Sequence, residues 1–147
     1  MSPKHQERAF PRAYSRELIR IATADHESAS YLLTGVQTSG NVRPENAAYL
    51  FQQAIEKALK SVLCAHGEPV PMVHDLGVLV AKMPDTLELS FGYELAGLDE
   101  YATVRRYEEG RYTLQHDELD EIQALSERVL TWARQIVDRD SGERESE

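Results

Sequence analysis

The sequence predicts an all-α protein, an up-and-down bundle of four long helices with one short helix in the longer connection. Several long stretches repeat apolar residues every three or four positions, which is the spacing of one helical face. Turn-forming residues cluster between these stretches, so neighbouring helices are expected to run antiparallel. No segment has the alternating pattern of a strand, and no glycine-rich phosphate loop is present. At 147 residues, the chain has the length of one domain.

The first long helix is predicted to begin at Tyr14 and to end in the turn-rich segment 35–44. Residues 1–12 precede it as a flexible polar arm. The apolar face of this helix is expected to consist of Tyr14, Leu18, Ile21, Ala22, Ala29, Leu32 and Val36.

The central helix, residues 47–66, is the stretch around which the chain is organised. Good helix formers dominate it, and neither glycine nor proline interrupts it. Pro44 lies where a first-turn proline is tolerated, and Gly67 lies where a glycine ends a helix. Its apolar face is expected to consist of Phe51, Ile55, Ala58, Leu59 and Val62.

The second half of the chain predicts three more helices. Prolines 69 and 71 impose an extended segment. His74-Asp75-Leu76 then opens a short helix, with Asp75 or His74 near its N-cap, and Pro84 ends this helix. A third long helix is expected over roughly 86–107 and a fourth over about 117–137. The domain proper is therefore expected to span 13–138, followed by a disordered acidic tail at 139–147.

The charge distribution is uneven. The net charge of −9 argues against a protein that coats nucleic acid, because phosphate binding needs concentrated cations. Residues 1–20 nevertheless hold five cations against two anions. Arg12, Arg16 and Arg20 recur every four residues, either as a solvated helical face or as a surface for an anion or a partner.

Two polar residues, Asp25 and His74, are predicted to make structural hydrogen bonds or ion pairs. Asp25 falls on the apolar face of the first helix, where a carboxylate costs free energy unless it is paired. Gln53 and Lys57 on the central helix are the predicted partners, and structural pairing is preferred to catalysis. His74 is either a structural histidine hydrogen-bonded to a loop, or a base or ligand. The single cysteine, Cys64, is expected to be buried in the protein. A single cysteine fits a protein of a reducing compartment.

A set of residues on and after the central helix carries a family resemblance. Gln52-Gln53-Ala54-x-Glu56-Lys57-x-Leu59-Lys60, followed by Gly67 and His74-Asp75-Leu76, resembles the central signature of HEPN domains, named for higher eukaryotes and prokaryotes nucleotide-binding. Flanking segments extend the likeness over most of residues 15–137. It implies the helical bundle and a homodimer, and it makes an acidic residue at the position of Asp25 usual.

The resemblance implies one of two functions. In the first, the protein is a non-catalytic binding or accessory subunit, whose partner is a minimal nucleotidyltransferase, a nucleotide or both. Arg105, Arg106 and Tyr107 would then supply guanidinium groups and a stacking ring; the alternative for both arginines is a surface salt bridge. In the second, it is a toxin-type, metal-independent endoribonuclease of a toxin–antitoxin pair.

Arg111 and His116 have the arginine-to-histidine spacing that the ribonuclease members share. Arginine can stabilise charge on a scissile phosphate, and histidine can transfer a proton near neutral pH. About one such spacing is expected by chance in this composition, and the chain has a second one from Arg20 to His26. Asp117 and Glu118 directly follow His116 and would repel RNA. We therefore favour the binding protein, cytoplasmic, with no cofactor and no metal, and not an enzyme.

Overall fold

A computed structural model describes residues 6–92, 94–95, 97–98 and 116–145. The protein is mostly helical, as predicted. We label the helices in these residues α1 (Tyr14–Thr38), α2 (Pro44–Ala65), α3 (Leu76–Ala81) and α4 (His116–Glu145), and the two strands β1 (Glu7–Arg8) and β2 (Val70–Pro71). None of the helices in the described part of the chain is long and apolar enough to cross a membrane.

Helix α2 forms the centre of the molecule. Fourteen of its 22 residues are buried, so it is packed on most of its circumference. Phe51, Ile55, Leu59 and Leu63 are fully buried in it. Helices α1 and α4 lie against α2 and run antiparallel to each other, since Thr23 contacts Arg134 whereas Gln37, further along α1, contacts Asp120.

The long helix predicted over residues 86–107 is confirmed only in part. Residues 84–91 form turns and irregular structure, not the first helical turns expected from residue 86. Pro84, Asp85 and Ser90 are all turn-forming residues, which accounts for the later start. The described residues from Gly92 to Leu98 are helical, with Leu95 and Leu98 buried in the core. The remainder of the predicted helix lies outside the described residues.

Residues 6–8 and 139–145 have regular structure that the sequence pattern does not predict. Strand β1 pairs antiparallel with β2, and Met72 N donates to Gln6 O at 2.7 Å, so residues 6–8 of the predicted arm are held against the segment before α3. Pairing of this kind joins residues more than 60 positions apart, and helical periodicity cannot reveal it. Helix α4 continues to Glu145, into the predicted acidic tail.

Gly67 ends α2 as predicted. Its φ is +72°, its N–H donates to Cys64 O at 3.0 Å, and the N–H of Glu68 donates to Leu63 O at 2.9 Å. Arg12, which precedes α1 and does not share its face with Arg16, lies against Gly67. Cys64 is buried, and its thiol lies 3.2 Å from Pro11 O.

Candidate functional site

The signature residues of α2 form two polar clusters beside the core. Glu56, Lys57 and Lys60 lie within one helical turn, on the part of α2 between α1 and the segment that leads into α3. Lys57 faces α1, whereas Glu56 faces the segment before α3. Each cluster is therefore made by joining α2 to another part of the chain.

The first cluster is the ion pair of Asp25 and Lys57. Lys57 Nζ lies 2.5 Å from Asp25 Oδ2, and the side chains are 28% and 22% exposed, respectively. Of the two partners that the sequence predicts for Asp25, Lys57 makes the contact, while Gln53 is half-buried on the same helix. Water reaches the pair only partly, so its interaction is stronger than that of a surface pair.

The second cluster surrounds a buried carboxylate. Glu56 is 3% exposed, and its two oxygens have separate partners: Oε1 lies 2.9 Å from His74 Nδ1, and Oε2 lies 3.2 Å from Lys60 Nζ. The His74 side chain is 83% exposed. A buried carboxylate that holds one ring nitrogen orients the imidazole and turns the rest of the ring to solvent. The partner of His74 is thus a carboxylate on α2 and not, as predicted, a loop.

Local structure fixes the position of His74. Asp75, the next residue, caps α3 by accepting from Val78 N at 3.2 Å, as the sequence predicts. On the other side, β2 is paired with β1, and a Lys82–Glu7 ion pair of 3.2 Å ties α3 to the same strand. His74 is therefore held between a paired strand and a capped helix.

The remaining predicted site residues belong to the second half of the chain. Arg105, Arg106, Tyr107 and Arg111 lie outside the described residues. His116 is the first residue of α4. In the described ranges, no group of three or more His, Cys, Asp and Glu side chains could hold a metal ion.

A third polar cluster lies between α1 and α4, and its contacts were not predicted from the sequence. His26 Nδ1 lies 2.8 Å from the hydroxyl of Ser126, which is fully buried. Gln123 donates to Ser30 at 3.2 Å, and Arg134 donates to Thr23 at 2.8 Å. The signal available in the sequence was a serine at a core position of the last helix, which needs a partner just as Asp25 does.

The surroundings of His26 favour its neutral form. Burial lowers the pKa of the imidazole, and the positive charge of Arg134 lowers it further, while Glu127 and Glu27 oppose the shift. Because no solvent reaches Ser126, its hydroxyl is not accessible as a nucleophile. The His26–Ser126 contact is therefore an interhelical hydrogen bond.

Comparison with known proteins identifies the family. The profile of the HEPN domain matches residues 15–136, which is most of the chain and includes α1, α2, α3 and most of α4. The chain belongs to the HEPN domain family. In this HEPN protein, the signature residues of α2 are the ones that make the Asp25 and Glu56 clusters.

A solved structure supports the same fold. The crystal structure of TT1696 from Thermus thermophilus is similar to this HEPN protein with a TM-score of 0.69. The two share 22% sequence identity over 84% of this chain and 98% of that chain. At this identity, the likeness shows a shared fold and does not carry an activity. No curated protein gives a significant sequence match.

Proposed function

We propose that this HEPN protein is a non-catalytic binding or accessory protein of the cytoplasm, which acts as a homodimer with a minimal nucleotidyltransferase, a nucleotide or both. One observation carries the proposal: the charged signature groups on α2 are paired internally. Lys57 is bound to Asp25, and Glu56 is bound to Lys60 and His74. Charged groups committed to each other hold elements together and are not free to act on a substrate.

The charge near His116 also favours binding over RNA cleavage. Asp117 is exposed and Glu118 half-buried in the first turn of α4, directly after His116. Two carboxylates in that turn repel a polyanion from any pocket that His116 forms with Arg111. The ribonuclease alternative needs that pocket, since Arg111 and His116 are the residues that would cleave RNA.

Exposed apolar side chains on α2 support the homodimer. Tyr49 is 40% exposed, and Leu50 beside it is half-buried, both on the open side of α2. Arg105, Arg106 and Tyr107, which lie outside the described residues, are the proposed contacts to a nucleotide or partner.

Affinity purification from the native cells tests the proposal. Proteins that copurify with the tagged chain are identified by mass spectrometry, and nucleotides released on denaturation are analysed by chromatography. We expect a small nucleotidyltransferase, a bound nucleotide or both. A matched purification of the Arg105→Ala/Arg106→Ala variant should recover less of either. Recovery of neither from the wild-type protein would contradict the proposal.

A further inference from the structure

Two adjacent depressions run along one side of α4. The first, of about 280 Å³, lies between Glu94 and the α4 residues Glu118 and Glu121. The second, of about 520 Å³, lies between Phe91 and the α4 residues Glu127 and Trp132. The Glu94–Arg128 ion pair, 3.0 Å long, joins the two, because Glu94 lines the first and Arg128 the second. We call the two depressions together the α4 groove.

The larger depression has an aromatic wall. Phe91 is buried, and the ring of Trp132 meets it edge to face, with centroids 5.4 Å apart and an interplanar angle of 87°. The guanidinium of Arg128 lies 5.9 Å from the Phe91 centroid. Trp132 is only half-buried, so part of the indole is open to whatever enters the groove.

The charged residues that line the groove are mostly acidic. Among the described lining residues, four carry a carboxylate: Glu94, Glu118, Glu121 and Glu127. The one cation among them is Arg128, which is paired with Glu94. Glu121 and Glu127 are both exposed, so the groove presents negative charge to solvent.

We propose that the α4 groove binds a lysine- and arginine-rich segment of a partner protein. The inference rests on the proposed function, because it names the surface to which the protein partner binds and the charge that the bound segment of the partner carries. One guanidinium or ammonium group pairs with Glu121 and another with Glu127, and the side-chain stem of the latter packs on the open part of Trp132. The same charges exclude nucleic acid from this side of the molecule.

Trp132 provides a direct measure of occupancy, because it is the only tryptophan in the chain. The probe is a synthetic nine-residue peptide that alternates arginine and leucine. Its controls are a peptide in which glutamate replaces arginine, and spermine. We expect the basic peptide to shift the emission of Trp132 in a saturable manner and the acidic peptide to have no effect. Binding should weaken as salt is raised from about 50 to about 500 mM, since screening acts on exposed charges.

Variants test whether the groove carboxylates are responsible. Glu121→Gln with Glu127→Gln should raise the Kd of the basic peptide about three- to tenfold. Glu68→Gln, which removes one exposed carboxylate from the loop after α2, is the matched control and should leave the Kd unchanged. Ala124→Glu, which adds a carboxylate to the groove, should lower the Kd and so distinguishes a binding effect from misfolding.

Four results would overturn the inference. They are no response to the basic peptide, an equal loss of binding in Glu68→Gln, a response to spermine as strong as to the peptide, and a change in emission on dilution without any peptide. The third result would assign the groove to a small polycation and the fourth to a second copy of the chain. A nucleotidyltransferase that copurifies equally well with the Glu121→Gln/Glu127→Gln variant would leave the proposed function standing and contradict only the groove.

Discussion

The ammonium group of Lys57 on α2 lies 2.5 Å from the Asp25 carboxylate on α1, so an ion pair joins the two helices at a position that is otherwise apolar. Because the pair is about three-quarters buried, removal of one partner leaves a poorly solvated charge. We expect Asp25→Ala to lower the free energy of unfolding by about 1–3 kcal/mol, between the values for surface and fully buried pairs. Urea denaturation measures it. Glu17→Ala, which breaks the exposed Glu17–Arg20 pair, is the control and should change the urea midpoint much less than Asp25→Ala does.

Substitution of Glu56 should lower the stability of the protein more than substitution of its exposed partner, His74. Glu56→Ala removes a buried carboxylate that two groups share, and we expect a loss of about 3 kcal/mol in the free energy of unfolding. His74→Ala removes a mostly exposed ring, and we expect a loss of about 1 kcal/mol or less. The two variants are compared by the same urea titration. Equal losses would show that the interaction with His74 accounts for most of the contribution of Glu56.

Gly67 combines a left-handed backbone with a close neighbour. A Cβ at Gly67 would lie 2.8 Å from Nε of Arg12, and φ is +72°. Gly67→Ala should therefore lower stability by about 1–2 kcal/mol for the backbone, with a further loss if Arg12 must move. Gly40→Ala is the matched control, since φ there is +70° with no atom within 4 Å. Thermal melts of both variants separate the two contributions. Equal shifts in Tm would show that Arg12 moves at no cost.

His26 should make stability depend on pH. Its pKa is lower in the folded protein than the ordinary value of 6.5, so the unfolded chain binds the proton more tightly. The contribution to stability is fully present above pH 6.5 and is lost as the pH falls towards the folded pKa. The slope is at most about 1.4 kcal/mol per pH unit. Urea titrations from about pH 4.5 to about pH 8 should show a flatter profile for His26→Gln than for wild type.

The purified protein should not cleave RNA. On a continuous helix, a spacing of five would place Arg111 and His116 about 140° apart, and the acidic residues after His116 oppose a polyanion. The assay incubates single-stranded RNA and transfer RNA with the protein in EDTA. Wild type and His116→Ala are compared. Cleavage by the wild type that is absent from the variant would favour the endoribonuclease over the binding protein.

Local sequence was enough to predict the helical class, the extent of α2 and the Asp75 cap. Helix formation depends on neighbours within one or two turns, and the buried face of a helix repeats with the helical period. A helix and its buried face can therefore both be recognised from a continuous stretch of sequence. The need of Asp25 for a partner was also visible, because a lone carboxylate in an apolar face is costly wherever the chain folds. The signature on α2 likewise predicted the family to which the chain belongs.

Only the tertiary structure decided which groups meet. In the folded protein, Asp25 pairs with Lys57 and not with Gln53. Glu56 pairs with His74, which is 18 positions away in sequence, and His26 pairs with Ser126, which is 100 positions away. The tertiary structure also placed Phe91 against Trp132 in the α4 groove. Such contacts depend on how whole helices are rotated and aligned against one another, which is set by the packing of the entire core and not by any single segment.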